Sequence, residues 1–211
     1  PRAILRPTMS TYVLIHGAWH GGWCWRKVVP LLEAKGHIVL APDLPGHGND
    51  GIPAATVTLK NYTDRICELA RAQSERVILA GHSMGGIAIT QAGENCPKHI
   101  GALVYVSAFL PRNGDSLVTW ALQDRESRVN PSTTNPQADG TLGFKPEYVR
   151  EAFYGSCTDE DVAFAQSRLT AQPGIPLGTP VETTAENWGR IPRYYIACDR
   201  DREIGRASCR E

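Results

Sequence analysis

Val77-Ile-Leu-Ala-Gly81-His-Ser83-Met-Gly85-Gly86, followed by Ile87-Ala-Ile-Thr-Gln-Ala-Gly93, is the stretch from which the rest of the chain can be read. It begins with an apolar run rich in branched side chains, which reads as a buried strand. Gly81-His-Ser83-Met-Gly85 fits G-x-S-x-G, and a helix-like run follows it. Strand before and helix after is the context that a nucleophile elbow requires. Glycine at both ends leaves room where the strand turns sharply into the helix. Such a turn lifts the Ser83 Oγ off the sheet. It also sets the Met84 N–H at a helix N-terminus, where an oxyanion can be held. A plain strand-to-helix turn with Ser83 as helix cap shares part of this pattern.

The 211 residues suffice for one domain with a substantial core. Basic and acidic residues balance at 22 each and hydrophobic content is 42%, which points to a soluble globular chain and away from nucleic acid. No apolar run approaches the roughly 18 residues of a membrane span. Pro1-Arg-Ala-Ile-Leu-Arg-Pro7 has two arginines but not the apolar centre of a signal peptide. Cys24, Cys67, Cys96, Cys157, Cys198 and Cys209 lack metal-type spacing and read as reduced thiols in a cytoplasmic protein.

The N-terminal half alternates strand and helix. Thr11-Tyr-Val-Leu-Ile15 reads as a strand, and the loop from His16 to Gly22 follows it. Trp25 to Lys35 reads as a helix with Val28, Leu31 and Leu32 on one side and Gly36 as its stop. His37 to Ala41 is a strand, Pro42 to Gly48 a breaker-rich loop, and Leu59 to Ala72 a helix with Ile66, Leu69 and Ala70 inward. Gly101 to Ser107 is the next strand after the elbow. This alternation implies a parallel sheet with helices on both faces. Its ligand site should lie beyond the carboxyl ends of the strands, where Ser83 and the His16–Gly22 loop both fall.

Four stretches carry a resemblance: Tyr12 to Trp25, Ala41 to Gly48, Gly81 to Gly86 and Tyr195 to Ile204. The chain resembles the α/β-hydrolase fold family, in the branch of small bacterial esterases, plant methylesterases and hydroxynitrile lyases. The resemblance covers about residues 9 to 204. It implies an α/β-hydrolase fold: a mostly parallel, doubly wound sheet with an inserted helical lid. It also implies that the Ala18 N–H is the second oxyanion donor beside Met84. The hydroxynitrile lyases carry threonine where this chain has Gly17, so the resemblance favours ester hydrolysis over cyanohydrin cleavage. A non-catalytic small-ligand binder is the reading from another class.

Pro111 to about Asn187 breaks the rhythm and reads as the lid, dividing the core into residues 9–110 and 188–203. Within it, Asn130 to Gln137 reads as a loop, Pro146 to Tyr154 as a short helix and Thr158 to Leu169 as a capped helix. Ala171 to Pro180 reads as extended. Trp19, with Trp120, Leu122, Phe144, Phe153, Tyr154 and Phe164 from the lid, are candidates for an apolar substrate pocket that includes Gly17, or for ordinary lid core. The expected partner is a small, mostly apolar ester, with no metal, cofactor, nucleic acid or membrane, and with room for a homodimer.

Arg193 to Cys198 reads as a late strand, and Asp199-Arg-Asp201-Arg-Glu-Ile204 follows it. The chain order Ser, Asp, His is what this fold uses. The resemblance implies an acid in an Asp-x-x-Ile or Asp-x-Ile setting after this strand, which Asp201 fits best, with Asp199 next; a solvated loop of alternating charge is the plain alternative. No histidine follows Asp201. The six are His16, His20, His37, His47, His82 and His99, and without a base Ser83 is a weak nucleophile. Ile204 to Glu211 matches the translation of a common sequencing-adapter oligonucleotide, and Met9 looks like a natural start. Residues 1–8 and 204–211 are therefore expected to be non-native. The last strand, the histidine loop and the last helix are expected to be missing.

Overall fold

The computed structural model describes residues 9–48, 51–122, 124, 127–199 and 201, so both expected non-native ends lie outside the described residues. The main sheet has five parallel strands in the order β2-β1-β3-β4-β8. They are β1 (Thr11–Ile15), β2 (Ile38–Leu40), β3 (Val77–Ser83), β4 (Ile100–Ala108) and β8 (Arg193–Ile196). β3 lies at the centre and is largely buried, which explains its unbroken apolar sequence. The register sets Gly81 against both Ile15 and Tyr105, and Ser83 against Ala108. The carboxyl ends of β1, β3 and β4 thus share one rim.

Two helices carry most of the packing. α2 (Leu59–Arg71) opens with a Thr58–Asn61 capping box and buries Leu59, Tyr62, Ile66 and Ala70, an apolar stripe of helical period. α3 (Gly85–Asn95) is buried nearly all round, with Ile87, Ala88, Ile89 and Ala92 inaccessible to solvent. Its one polar core group, the Thr90 hydroxyl, pairs with the Tyr105 hydroxyl at 2.7 Å. Burial of each large side chain here contributes about 1.5–3 kcal/mol. The helix that follows Ser83 is therefore a rigid seat.

Three expectations are corrected. Trp25 to Lys35 is not one helix: a 3-10 turn covers Gly22–Trp25 and α1 only Val29–Glu33, because Pro30 must sit in a first turn. Of Val28, Leu31 and Leu32, read as one apolar side of that helix, the first two are exposed and Leu32 is half-buried. Cys67 and Cys96 are not free thiols. They form a disulfide that ties α2 to the C-cap of α3, while Cys24, Cys157 and Cys198 are free.

The lid is not purely helical. Between β4 and β8 lie α4 (Leu117–Ala121), α5 (Val149–Phe153), α6 (Asp159–Gln166) and α7 (Gly174–Gly178). They surround a small antiparallel sheet of β5 (Thr134–Pro136), β6 (Thr141–Phe144) and β7 (Gln172–Pro173). The expected loop at Asn130–Gln137 holds β5. The tight turn to β6 closes through Gly140, whose N–H reaches Gln137 O at 3.1 Å. The expected extended stretch holds β7 and α7. These strands are two to four residues long, too short for alternation to declare itself. Among the described residues no helix is long and apolar enough to cross a membrane.

Candidate active site

Ser83 ends β3 with φ of 52°, a left-handed backbone that a non-glycine residue rarely adopts. The chain turns so tightly that a Cβ on Gly81 would stand 2.6 Å from the Gly85 carbonyl oxygen. Met84 follows as the N-cap of α3. The His16–Gly22 loop, leaving β1, lies directly on this elbow. A Cβ on Gly17 would stand 2.9 Å from Ser83 Cβ and 3.1 Å from His82 Nδ1. Ala18 and Met84 are both buried, and among the described residues neither backbone N–H donates to a protein acceptor. Two such donors beside a serine suit an oxygen that becomes negative during reaction.

The lid grips the loop. Trp19 has φ of 62°. Its backbone N–H donates to Gln172 Oε1 at 3.3 Å, its indole N–H to Leu142 O at 2.7 Å, and its carbonyl accepts from Thr170 N–H at 3.0 Å. His20 Nδ1–H donates to Ala18 O at 2.7 Å, which leaves Nε2 to accept from the Tyr154 hydroxyl at 2.7 Å. His16 Nδ1–H donates to Gly17 O at 2.8 Å and its Nε2 accepts from Leu44 N–H at 3.0 Å. Burial lowers His16 and His20 to about 3 and His47 to about 4, so all three imidazoles are neutral near pH 7.

Asp201 lies in the turn after β8, its N–H 3.4 Å from Cys198 O. The Ser107 hydroxyl donates to Asp201 Oδ2. Ser107 precedes Ala108, the residue in register with Ser83, so the carboxylate comes to the same rim as the serine. Tyr195 braces this corner: its hydroxyl donates to Ala108 O at 2.9 Å and accepts from Ala108 N–H at 3.0 Å. Asp199 is exposed.

A cleft of about 190 Å³ opens at Ser83. Ala18, Trp19, Phe109, Leu117, Leu142 and Leu177 form its apolar wall, with Asp124, Ser127 and Asn130 also on its lining. Trp19 is thus in the wall, while Trp120 and Phe153 are elsewhere. The Trp120 indole N–H donates to Asp115 Oδ2 at 3.0 Å. Phe153 backs Trp19 at 5.9 Å between ring centroids. Phe144 packs against Phe153, Tyr154 meets His20, Leu122 is exposed, and Phe164 lies between the Arg26 and Arg168 guanidinium groups. Phe109, Leu117, Leu142 and Leu177 escaped the sequence reading. Only Phe109, just past the end of β4, carried a positional signal. Among the described residues no three His, Cys, Asp or Glu side chains gather as a metal site.

A parallel sheet, a strained serine at a strand-to-helix turn and a second loop laid over it define a class. Residues 12–210 match the family model described as "Alpha/beta hydrolase family". The chain belongs to that family. It is 35% identical over 207 residues to salicylic acid-binding protein 2 of Nicotiana tabacum, covering 92% of this chain and 80% of that protein. It is 32% identical over 203 residues to methylesterase 3 of Arabidopsis thaliana, covering 90% and 77%. The crystal structure of a pyrethroid hydrolase from Sphingobium faniae matches with a TM-score of 0.85 and 32% identity, covering 96% of this chain and 83% of that one. By family resemblance the chain is a carboxylic ester hydrolase.

Proposed function

We propose that Ser83 is the nucleophile of a serine ester hydrolase, with the Ala18 and Met84 N–H groups as its oxyanion hole and Asp201 as the acid. The observation that carries the reading is the left-handed Ser83 beside two buried backbone N–H groups that have no protein acceptor among the described residues. Ser83 Oγ attacks the acyl carbon as its proton passes to an imidazole. The carbonyl oxygen gains charge between the two N–H groups, each worth about 2.7–4 kcal/mol of barrier. Collapse expels the alcohol, and water then releases the acid from the acyl-serine. Asp201 orients the imidazole and stabilises its charged form.

The six histidines of these 211 residues do not offer that imidazole readily. His16, His20 and His47 are buried in hydrogen bonds of their own. His37 and His99 precede the amino ends of β2 and β4, on the rim opposite Ser83. His82 stands next to the nucleophile with its ring against Gly17. The substrate is a small carboxylic ester, since the cleft is largely apolar. A side chain at position 17 would overlap Ser83, so the threonine of the lyases has no room here.

Chemical rescue tests the reading. The protein is incubated with p-nitrophenyl butyrate with and without added imidazole, quenched, and the acyl group located by mass spectrometry. The expected result is an acyl group on Ser83, formed faster with imidazole and absent from Ser83→Ala. Acylation at another residue, or acylation indifferent to Ser83→Ala, would overturn it.

A further inference from the structure

We infer that Gln172, a lid residue 153 positions from Trp19, is a positioning residue for the oxyanion hole. Its side chain holds the Ala18–Trp19 peptide, and so aims the Ala18 N–H. The inference rests on the assignment of Ala18 as an oxyanion donor.

The geometry is that of one peptide held from both ends. On one side Gln172 Oε1 accepts the Trp19 N–H at 3.3 Å. On the other, Ala18 C=O accepts His20 Nδ1–H at 2.7 Å. Gln172 is wholly buried and its amide has one orientation open to it. An N–H must meet an oxygen, so Oε1 faces Trp19. Its Nε2 then donates to Tyr62 OH at 3.2 Å and to Pro173 O at 2.8 Å. That frees the Tyr62 hydroxyl to donate to His47 Nε2 at 3.0 Å. Every polar atom of the glutamine is used, and each bond runs to a different anchor. The amide therefore cannot turn without breaking several bonds at once.

The grip is needed because Trp19 sits at φ of 62° with a bulky side chain, a backbone that relaxes unless neighbours hold it. The Ala18 N–H is one residue upstream. If the Ala18–Trp19 peptide rotates, the Ala18 dihedrals follow and the N–H swings off the oxyanion position. The lid is thus the template of the hole, and lifting it would undo the donor that acyl transfer needs.

Gln172→Met keeps the length of the side chain and removes the acceptor. The readout is imidazole-supported acylation of Ser83 by a carboxylic ester and by its thionoester. Sulfur accepts hydrogen bonds weakly, so the oxygen ester gains more from the hole. Outright loss of a donor costs about 10²–10³-fold, and misaiming one should slow saturated acylation by about tenfold. The half-saturating ester concentration should stay within about twofold, since ground-state binding is untouched. The preference for the oxygen ester should shrink. Tyr154→Phe removes one hydroxyl from behind His20 and should shift the same preference less, which keeps the test open if Gln172→Met does not fold. Equal acylation by Gln172→Met and the unaltered chain, or equal slowing of both esters, would overturn the positioning role alone. No Ser83 adduct in the unaltered chain would overturn the serine-hydrolase reading and this inference with it.

Discussion

Lowering the pH from about 7.5 to 5.5 should strip this protein of much of its stability before any carboxylate is protonated in quantity. His16, His20 and His47 are held neutral by burial, at about 3, 3 and 4 against an ordinary value of 6.5. Their folded values lie below the unfolded one, so the unfolded chain binds more protons throughout the window between them. Stability is complete above about pH 6.5 and falls as the pH drops toward 4. One unit below the unfolded value, each histidine has withdrawn about 1.4 kcal/mol, or about 4 kcal/mol for the three. That is a large part of a typical 5–15 kcal/mol. The His16 and His47 rings stand 4.7 Å apart and both are wholly buried, so charging both adds repulsion that bulk solvent does not screen. Asp43 offers His16 only a weaker opposing attraction. Urea titrations followed by circular dichroism, repeated every half unit of pH, give the slope directly. His47→Gln should remove about a third of it, whatever it does to the absolute stability. A flat unfolding free energy between pH 7.5 and 5.5, or a slope indifferent to His47→Gln, would refute the reasoning.

Three further outcomes are expected. Gly17→Thr brings a Cβ to 2.9 Å from Ser83 Cβ and should cost about 1–3 kcal/mol in a urea melt and abolish Ser83 acylation by mass spectrometry. Ser107→Ala removes the hydroxyl that donates to Asp201 and should slow imidazole-supported acylation by about tenfold, with an unchanged circular dichroism spectrum. Replacing Cys67 and Cys96 together by serine opens a loop of 29 residues and should lower the unfolding free energy by about 3.5 kcal/mol, read from the urea midpoint.

The core was legible because its signals are local and strong. β3 and β4 are central, so their residues are apolar on both faces, and a continuous run of Val, Ile, Leu and Ala needs no partner to be recognised. α2 advertises itself by its cap and its stripe. The elbow is legible for a harsher reason: the backbone crowds so closely at Gly81 that only glycine fits. What failed were segments without a period of their own. α1 spans five residues around a proline, and the lid strands take their pairing from one another. The disulfide failed for a related reason, since the approach of Cys67 to Cys96 follows from how α2 packs on α3, which no spacing along the chain encodes.

The same division runs through the candidate site. Ser83, Met84, Ala18 and Asp201 all sit at or just past the carboxyl ends of parallel strands, where the strand–elbow–helix pattern marks Ser83 and Met84 and the family resemblance marks Ala18 and Asp201. The residues that hold them do not. Gln172 is a lone glutamine in a two-residue strand, and nothing near it in sequence separates it from a surface amide. Its role exists only once β7 is laid beside β6 and the Trp19 N–H is turned toward it. The pocket aromatics follow the same logic. Phe153 has the chemistry of a pocket residue and stands behind Trp19, whereas Leu142 lines the cleft and its carbonyl accepts a hydrogen bond from the Trp19 indole N–H. In this fold the groups that would do chemistry are set by where strands end, and the groups that aim them by how a lid folds back, so only the first can be read from a chain.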